Sequence, residues 1–167
     1  MAEKKEKQYV SDNARLLAEW DWEKNTALDL DPHKLTVGSE RKVWWKCSKG
    51  HEWEAVCYSR TAGNQCPICS GRKVLVGYND LSTLLPEIAS QWHPLKNNPT
   101  TAKDVTINSN RKTWWLGHCG HEWEAPVSDR TRGRGCPICK SKKVVAGIND
   151  LAAQYPLIAK EWHFLKK

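Results

Sequence analysis

Four residues with metal-binding chemistry stand as two close pairs in the first half of the chain. Cys47 and His51 form one pair, and Cys66 and Cys69 form the other after a spacer of 14 residues. Three thiolates and one imidazole are a donor set that binds zinc tetrahedrally, and a CxxC turn delivers two thiolates from one short segment. The pattern therefore predicts a zinc site.

The same pattern returns seventy residues further along the chain. WWKCSKGHEWEA, which starts at Trp44, is matched by WWLGHCGHEWEA from Trp114, and each copy continues to a CPIC motif. Self-similarity at a fixed period is the signature of tandem repeats. We therefore predict two zinc modules and two zinc ions per chain, with Cys136 and Cys139 as the second ligand pair of the second site.

The first ligand pair of the second copy is less regular. Gly117 stands where Cys47 would align, and the nearby thiol is Cys119, two positions later. His118, three residues before His121, is the alternative ligand. We favour Cys119 together with His121 because thiolates dominate structural zinc sites. The shift of two positions predicts a different backbone geometry for this second turn.

Both donor sets predict structural rather than catalytic zinc. A catalytic zinc keeps one coordination position for water, with a carboxylate base nearby, whereas here protein groups fill all four positions. Glu52 and Glu122 directly follow the ligand histidines, so strand alternation places them on the opposite face. The sequence therefore predicts that the protein is not an enzyme.

The composition favours small modules that a metal reinforces. The 167 residues are 40% apolar, and ten tryptophans supply much of this against one Phe and one Met. A module of about 70 residues is near the size at which an apolar core needs the additional stability that a bound metal gives.

The chain has no long apolar run, its N-terminus MAEKKEKQ lacks a signal core, and seven cysteines suit a reducing compartment. We expect a cytoplasmic protein with no membrane segment.

The net charge of +7 is concentrated on the zinc modules. Residues 41–73 and 111–143 each carry a net +5, which leaves −3 for the rest of the chain. Zinc with three thiolates contributes only about −1, so the module surfaces stay basic and indicate a polyanion as partner. The candidate nucleic-acid contacts lie at Gly-rich loop tips, beside the WW strands and after the CPIC turns: Arg41, Lys42, Arg60, Arg72, Lys73, Arg111, Lys112, Arg130, Arg132, Arg134, Lys142 and Lys143, with Lys140 beside them.

The tryptophans of the WW and HEW motifs have two interpretations. Exposed indoles would stack on bases. A module with few other large apolar residues, however, needs its indoles for the core, and strand alternation turns one member of each WW pair inward. We expect most of these tryptophans to be buried, and we expect Cys57, which aligns with Val127, to be a half-buried strand thiol.

Helical patterns precede each zinc motif. The first is SDNARLLAEWDWEKN, with Ser11 or Asp12 as N-cap, and two related stretches begin at Asn79 and Asn149. In these two, Pro86 and Pro156 are expected to start a new helical turn after a kink. His93 and His163 close the two stretches, where an imidazole at a helix C-terminus would meet the helix dipole favourably.

Short strands are predicted around each metal site. Val43–Lys46 and Thr113–Leu116 read as entering strands, and HEWEAVCYS and HEWEAPVSD as returning strands, with Pro126 at an edge or a bulge. RKVLVG and KKVVAG, after the CPIC turns, predict one more short strand each. The expected fold class is α+β, with zinc-ribbon or treble-clef-like hairpin units alternating with short helices.

The order of these elements predicts the domain organisation. The last helix has no module after it, so it either caps the array, as terminal repeats do, or is a partial third repeat. The predicted segments are a disordered tail (1–11), zinc module 1 with its leading helix (12–78), zinc module 2 with its leading helix (79–148) and a C-terminal helix (149–167).

The string WW-x(1–3)-C-x(0–2)-GHEWEA…RT-x-G-x-x-CPIC…KV-x-x-G-x-NDL…IA-x-x-WH resembles a bacterial and phage family of zinc-ribbon, or treble-clef, repeats. The resemblance covers nearly the whole chain from about Asn13. In that family the repeats often lie in tandem beside Vsr-like or HNH nuclease domains, which implies a DNA-binding accessory role. The chain has no nuclease domain of its own, so the enzymatic associations do not transfer. The ligand pattern of the family carries over to Cys47, His51, Cys66 and Cys69, and to His121, Cys136 and Cys139.

Two functions of different kinds follow from these observations. The leading hypothesis is a zinc-stabilised nucleic-acid-binding protein, acting on DNA through phosphate contacts from basic hairpin tips. The alternative is a zinc-ribbon adaptor that joins proteins in a larger nuclease or defence-type complex, because exposed tryptophans make good interaction hot spots. An isolated nuclease is disfavoured, since the sequence shows no paired-carboxylate or Asp-x-Lys constellation.

Overall fold

The computed structural model describes residues 7–162. The chain divides into two compact units, Met1–Lys73 and Val74–Lys167. His163, with the end of the predicted C-terminal segment, lies outside the described residues, as does most of the predicted tail. Val10 is fully buried, and its N–H donates to the carbonyl of Leu35 (2.8 Å). The prediction of a disordered tail up to residue 11 is therefore wrong at its C-terminal end.

Unit 1 places short helices before and after one β-hairpin. Asn13 and Asp21 cap the first two helices by accepting the backbone N–H groups of Leu16 (3.2 Å) and Lys24 (3.0 Å). Its elements are a 3-10 turn (Val10–Asp12), α1 (Ala14–Ala18), α2 (Trp22–Ala27), β1 (Lys42–Lys46), β2 (Glu52–Val56) and α3 (Cys57–Thr61).

Unit 2 repeats this plan and adds two helices. Pro86 and Pro156 each begin a new helix after a residue with φ −139° and ψ 68°, which confirms the predicted kinks. The hairpins alternating with short helices also confirm the α+β fold class. The elements are α4 (Leu81–Leu84), α5 (Pro86–Ala89), a 3-10 turn (Ala102–Asp104), β3 (Lys112–Leu116), β4 (Glu122–Pro126), α6 (Val127–Thr131), α7 (Leu151–Gln154) and α8 (Pro156–Lys160).

Each hairpin is a two-stranded antiparallel sheet with one buried face. In unit 1, Trp45 pairs with Trp53 and is fully buried, while its neighbour Trp44 lies on the other face and is half-buried. Alternation thus turns one member of the WW pair inward, as predicted. The equivalent residues of unit 2 repeat the arrangement: Trp115, Trp123 and Trp114.

A tryptophan from the helical segment packs on each hairpin. The ring centroids of Trp20 and Trp45 are 5.7 Å apart, with an interplanar angle of 89°. The rings of Trp92 and Trp115 are 5.5 Å apart at 81°. Such edge-to-face pairs stabilise a core beyond the apolar area that they bury. The core of each unit therefore forms where the helices meet the hairpin.

The first predicted helix is broken in two. The carbonyl of Glu19 accepts the N–H of Lys46 (2.7 Å), and the N–H of Asp21 donates to the carbonyl of Trp44 (3.3 Å). These bonds add residues 19–21 to the edge of β1, so the backbone cannot stay helical there. The N-cap of α1 is Asn13, not Ser11 or Asp12.

Three strand predictions are corrected. RKVLVG and KKVVAG form turns, in which the side-chain oxygens of Asn79 and Asn149 accept the N–H groups of Leu75 and Val145 (2.7 Å each). Cys57 is fully buried and is the first residue of α3 rather than a half-buried strand residue.

Pro126 occupies the end of β4 and is the N-cap of α6. At that position its missing N–H costs no hydrogen bond within the strand pairing. None of the helices within residues 7–162 has the length and apolar character that crossing a membrane requires.

Candidate metal centres

The turn between β1 and β2 carries the first ligand pair of unit 1. The N–H of Cys47 donates to the carbonyl of His51 (3.0 Å), and the N–H of Gly50 donates back to the carbonyl of Cys47 (2.8 Å). Gly50 has φ +79°, a conformation that favours glycine. These bonds hold the thiol and the imidazole together at the tip of the hairpin.

The second pair comes from the CPIC turn after α3. The carbonyl of Cys66 accepts the N–H of Ser70 (3.0 Å), and buried Ile68 anchors the turn in the core of unit 1. The same bond recurs in unit 2, where the N–H of Lys140 donates to the carbonyl of Cys136 (3.2 Å). Each CPIC segment is thus a fixed turn that presents two thiols.

The four side chains of the first set meet at one point. Their ligand atoms all lie within 4.8 Å of one another. The Nδ1 atom of His51 is 3.5 Å from the Sγ of Cys47, 3.8 Å from that of Cys66 and 3.2 Å from that of Cys69. Zn–S and Zn–N bonds of normal length in a tetrahedron separate their ligand atoms by about 3.5–3.8 Å. The set therefore fits one zinc ion, with His51 binding through Nδ1.

The second set is Cys119, His121, Cys136 and Cys139, and its ligand atoms also lie within 4.8 Å of one another. The Nδ1 atom of His121 is 3.5 Å from the Sγ of Cys136 and 3.3 Å from that of Cys139. His118 is exposed and lies outside this set. Cys119 is therefore the fourth ligand, and two Cys3His sites suit two zinc ions, as the sequence predicts.

The backbone of the second turn is the same as that of the first, which contradicts our expectation. The N–H of Gly117 donates to the carbonyl of His121 (3.0 Å), and the N–H of Gly120 donates to the carbonyl of Gly117 (2.9 Å), with φ +75° at Gly120. Only the position that supplies the thiolate has moved within the turn. A Cβ atom on Gly117 would lie 3.0 Å from the Sγ of Cys119 and 2.9 Å from the indole of Trp123. Glycine at 117 thus leaves the space that the thiolate of Cys119 occupies.

Gly117→Ala should weaken zinc binding at the second site by at least about tenfold, because overpacking of about 1–3 kcal/mol falls on the ligand itself. Competition with a chromophoric chelator measures this affinity. The matched control is the double variant Gly117→Cys/Cys119→Lys, which copies the arrangement of unit 1 and should bind zinc normally. Unchanged affinity of Gly117→Ala would show that Cys119 has room to shift.

The thiols of the two turns are prepared for zinc by the backbone. Burial acts to raise the pKa of Cys47, but the N–H groups of Lys49 and His51, together with the thiols of Cys66 and Cys69, hold the pKa below its usual value. The N–H of His121 is the main cause that lowers the pKa of Cys119 to about 7. Hydrogen bonds to the thiolate favour the charged form, which is the form that binds zinc.

The carboxylates next to the ligand histidines are engaged in ion pairs. Glu52 lies 2.5 Å from the ammonium of Lys24 and 2.9 Å from that of Lys46, and these contacts lower its pKa to about 2. Glu122 pairs with Lys96 and lies 3.2 Å from the Nε2 of His93. Both carboxylates therefore hold the hairpin to the helical segment.

Arg60, predicted as a phosphate contact at a loop tip, lies in the core of unit 1. Its side chain is buried, forms an ion pair with Glu19, and has its guanidinium carbon 5.5 Å and 5.3 Å from the ring centroids of Trp45 and Trp53. Burial lowers its pKa. The reason for the error is that α3 runs to Thr61, so residue 60 lies on the inward face of a helix rather than at an exposed tip.

Arg130 is the equivalent residue of unit 2 and is also buried, so the prediction is corrected there as well. Its guanidinium carbon lies 5.4 Å from the ring centroid of Trp115 and 5.2 Å from that of Trp123. It donates to the side-chain oxygen of Gln91 (2.6 Å) and to the carbonyl of Arg134. Both arginines therefore belong to the framework of the zinc units.

The other predicted contact residues lie at the surface. Three cations of unit 2, Arg134, Lys140 and Lys142, line a cleft of about 320 Å³ beside the second zinc site, together with two carboxylates, Glu124 and Asp129. The guanidinium of Arg134 also pairs with Asp129 (2.9 Å), another residue of the cleft. The exposed predicted residues are Arg41, Lys42, Arg72, Lys73, Arg111, Lys112, Arg132, Arg134, Lys142 and Lys143.

His93 has a different role from the one predicted. It is buried, and its Nδ1 atom accepts the N–H groups of Leu95 (3.2 Å) and Lys96 (3.1 Å). Asp21 accepts the N–H of Lys24 in unit 1 in the same way. His93 is therefore an acceptor for the following turn rather than a residue at a helix C-terminus, since α5 ends at Ala89. The sequence signal for this role was that His93 aligns with Asp21, because Asp commonly accepts backbone N–H groups at such positions.

In each unit a turn that joins two strands supplies one ligand pair and a CxxC turn supplies the other, which is consistent with a treble-clef zinc finger. A family model described as "Probable Treble clef zinc finger domain" matches residues 16–72 and 88–142, which is more than half of the chain. The chain therefore belongs to this family and carries two tandem copies of its domain. No curated protein matches the chain.

Proposed function

We propose that this protein binds nucleic acid, and DNA in particular, through phosphate contacts made by its zinc units. The observation that carries the proposal is the cleft beside the second zinc site, where Arg134, Lys140 and Lys142 come together. Gly135 is part of the cleft, and the side chain of Lys140 lies close above it, since a Cβ at 135 would be 3.3 Å from the Cε of that lysine. The three cations outnumber the two carboxylates of the cleft, Glu124 and Asp129, and a turn-rich cleft with excess positive charge suits a phosphate backbone.

The two units differ in this region in a way that favours unit 2 as the stronger binder. Ala62, Asn64 and Ser70 of unit 1 align with Arg132, Arg134 and Lys140 of unit 2. All three positions are exposed in both units. Of the three cations, Arg134 also forms an ion pair with Asp129. At these three positions, unit 2 therefore presents cations where unit 1 has none.

The triple variant Arg132→Ala/Arg134→Asn/Lys140→Ser should weaken DNA binding by about tenfold or more. Each substitution introduces the residue that unit 1 already carries, so we expect two zinc ions and an unchanged unfolding transition. The slope of log K against log salt should become less steep by up to about 3, since each lost phosphate contact contributes about 1. Fluorescence anisotropy with a labelled duplex at several salt concentrations measures both quantities.

The reverse variant is the matched control for this experiment. Ala62→Arg/Asn64→Arg/Ser70→Lys introduces the three cations into unit 1 and should strengthen binding. If the parent chain binds neither DNA nor RNA at low salt, the proposed function is wrong. If the triple variant binds as well as the parent chain, the cleft is not the contact surface.

A second proposal is the adaptor function, and exposed aromatic residues of unit 1 favour it. Trp22 is 54% exposed and Tyr58 is 51% exposed. Large aromatic side chains supply much of the affinity at protein interfaces. Capture of a protein partner that survives nuclease treatment and high salt, and that Trp22→Ala abolishes, would support the adaptor function. Loss of all captured protein on nuclease treatment would support nucleic-acid binding instead.

The proposal includes a binding rather than a catalytic role, in the cytoplasm. Among residues 7–162, the groups that could hold a metal ion are the two Cys3His sets, and each supplies four protein ligands. Such closed sites are typical of structural zinc. Their thiolates must stay reduced, which suits the cytoplasm. Plasmid cleavage that depends on a divalent metal would contradict the non-catalytic role.

A further inference from the structure

The helices α7 and α8 repeat the local structure of α4 and α5. The carboxylate of Asp80 caps α4 by accepting the N–H of Thr83 (2.9 Å), and that of Asp150 caps α7 by accepting the N–H of Ala153 (2.8 Å). In both pairs the residue between the helices has φ −139° and ψ 68°. The C-terminal segment thus folds as the leading helical part of a third module.

The two helical pairs differ in what covers their apolar side. Leu81 is fully buried in unit 2, whereas its equivalent Leu151 is 37% exposed. Trp92 is half-buried beneath the hairpin, whereas its equivalent Trp162 is 63% exposed. Terminal repeats that cap an array carry a polar outer face. The apolar face therefore contradicts the capping interpretation. This C-terminal face consists of Leu151, Tyr155, Ile158 and Trp162, which are all exposed.

In units 1 and 2, the equivalent apolar face of the leading helices is covered by the β-hairpin of the same unit. The backbone N–H of Leu116 in β3 donates to the carbonyl of Gln91 (2.8 Å), and the N–H of Lys46 in β1 donates to that of Glu19 (2.7 Å). In each module the second tryptophan of the WW strand then packs edge-to-face on a tryptophan of the leading helical segment, which is Trp20 after α1 and Trp92 after α5. A WW zinc hairpin is therefore what this type of helical pair binds.

A second copy of the chain has no spare hairpin to place on the uncovered face. Residues 7–162 contain three such helical faces and two hairpins, and each hairpin already covers the helices of its own unit. A second copy could donate a hairpin only by exposing one of its own faces, so the number of uncovered faces would not fall. The occupant must bring an additional hairpin.

We propose that the C-terminal face is a docking site for a further zinc hairpin of this repeat type. Such a hairpin would place its second WW indole against Trp162 and pair its backbone with the carbonyl of Glu161, the equivalent of Gln91 and Glu19. Two residues of this face, Leu151 and Trp162, also line an open cleft of about 580 Å³.

The test supplies that hairpin and asks whether the face binds it. Residues 94–142 of the chain are appended directly after His163 of the full chain, in place of its last four residues, which reproduces the natural register after His93. The extended chain should bind three zinc ions. Hydrogen exchange at the amides of α7 and α8 should slow by at least about tenfold, because the face becomes covered.

The substitution Trp162→Ala tests whether the appended hairpin packs on the C-terminal face or is only linked to the chain. In the extended chain it should weaken the third zinc site by about tenfold or more and restore fast exchange in α7 and α8. In the parent chain the same substitution should leave the two zinc ions and the unfolding transition unchanged. A third hairpin that fails to bind zinc, or that binds it without slowing exchange in α7 and α8, would overturn the proposal. Dimerisation of the parent chain that Trp162→Ala abolishes would also overturn it, since the occupant would then be a second copy.

Discussion

Zinc removal is expected to unfold both units, and the second unit should lose its metal first. The ligand pairs of each site come from two separate segments, so the metal closes the hairpin onto the CPIC turn. In small zinc-binding domains, metal binding accounts for about 10–16 kcal/mol and is inseparable from folding. Cys119 and Cys139 are exposed, whereas three of the four ligands of the first site are buried. A chelator therefore reaches the second site more easily.

Chelator titration with a zinc-sensitive dye, followed in parallel by near-ultraviolet circular dichroism, should show two steps of one zinc ion each. The variants Cys69→Ser and Cys139→Ser assign them, because each should remove a different step. Zinc binding should also weaken as the pH falls, since protons compete for the thiolates. A metal-free chain that keeps its tertiary signal would refute the structural role of zinc, and simultaneous release of both ions would refute the ordered loss.

Truncation of the inner tryptophan of each WW pair should be the most destabilising single change outside the metal ligands. Trp45 is fully buried, packs edge-to-face on Trp20 and donates its indole N–H to the carbonyl of Ala55 (3.0 Å). Trp45→Ala should lower the free energy of unfolding by about 3–5 kcal/mol, since it leaves a large cavity and an unpaired acceptor. We expect the same result for Trp115→Ala in unit 2.

The outer tryptophans provide the matched control. Trp44 is half-buried and carries the ammonium of Lys24 at 4.0 Å from its ring centroid, and Lys96 lies 4.3 Å from the ring of Trp114. Cation–π contacts at such positions are worth about 0.5–1 kcal/mol. Trp44→Ala and Trp114→Ala should therefore cost much less than the inner substitutions. Urea unfolding at a fixed free zinc concentration measures all four variants, and equal losses within one pair would contradict the burial pattern.

The metal chemistry of this protein could be predicted from the sequence because ligand type and spacing are local properties. CPIC specifies a turn with two thiols wherever it occurs. The alternation of the WW strands likewise follows from strand geometry alone. The preference of zinc for thiolates predicted Cys119 as a ligand. The unchanged backbone of its turn was not predicted, because it depends on the space between Gly117 and the indole of Trp123, which the sequence does not show.

The buried arginines show where local reasoning failed. Arg60 and Arg130 precede Gly-rich loops, and charge alone suggested an exposed tip. The neglected signal was spacing: each arginine follows a buried residue, Cys57 or Val127, by three positions, which puts both on one helical face. Recognition that α3 and α6 are helices would have turned these arginines inward.

The shared turn of the two metal centres has a consequence for how such domains are found and how they diverge. A search that fixes the ligand spacing would accept Cys47 with His51 and reject Cys119 with His121, although the backbone hydrogen bonds are the same. A change from one arrangement to the other involves both positions together, because a side chain at 117 would meet the Sγ of Cys119 and the indole of Trp123. The two repeats therefore share the backbone of this turn, while the position of the ligand cysteine within it differs.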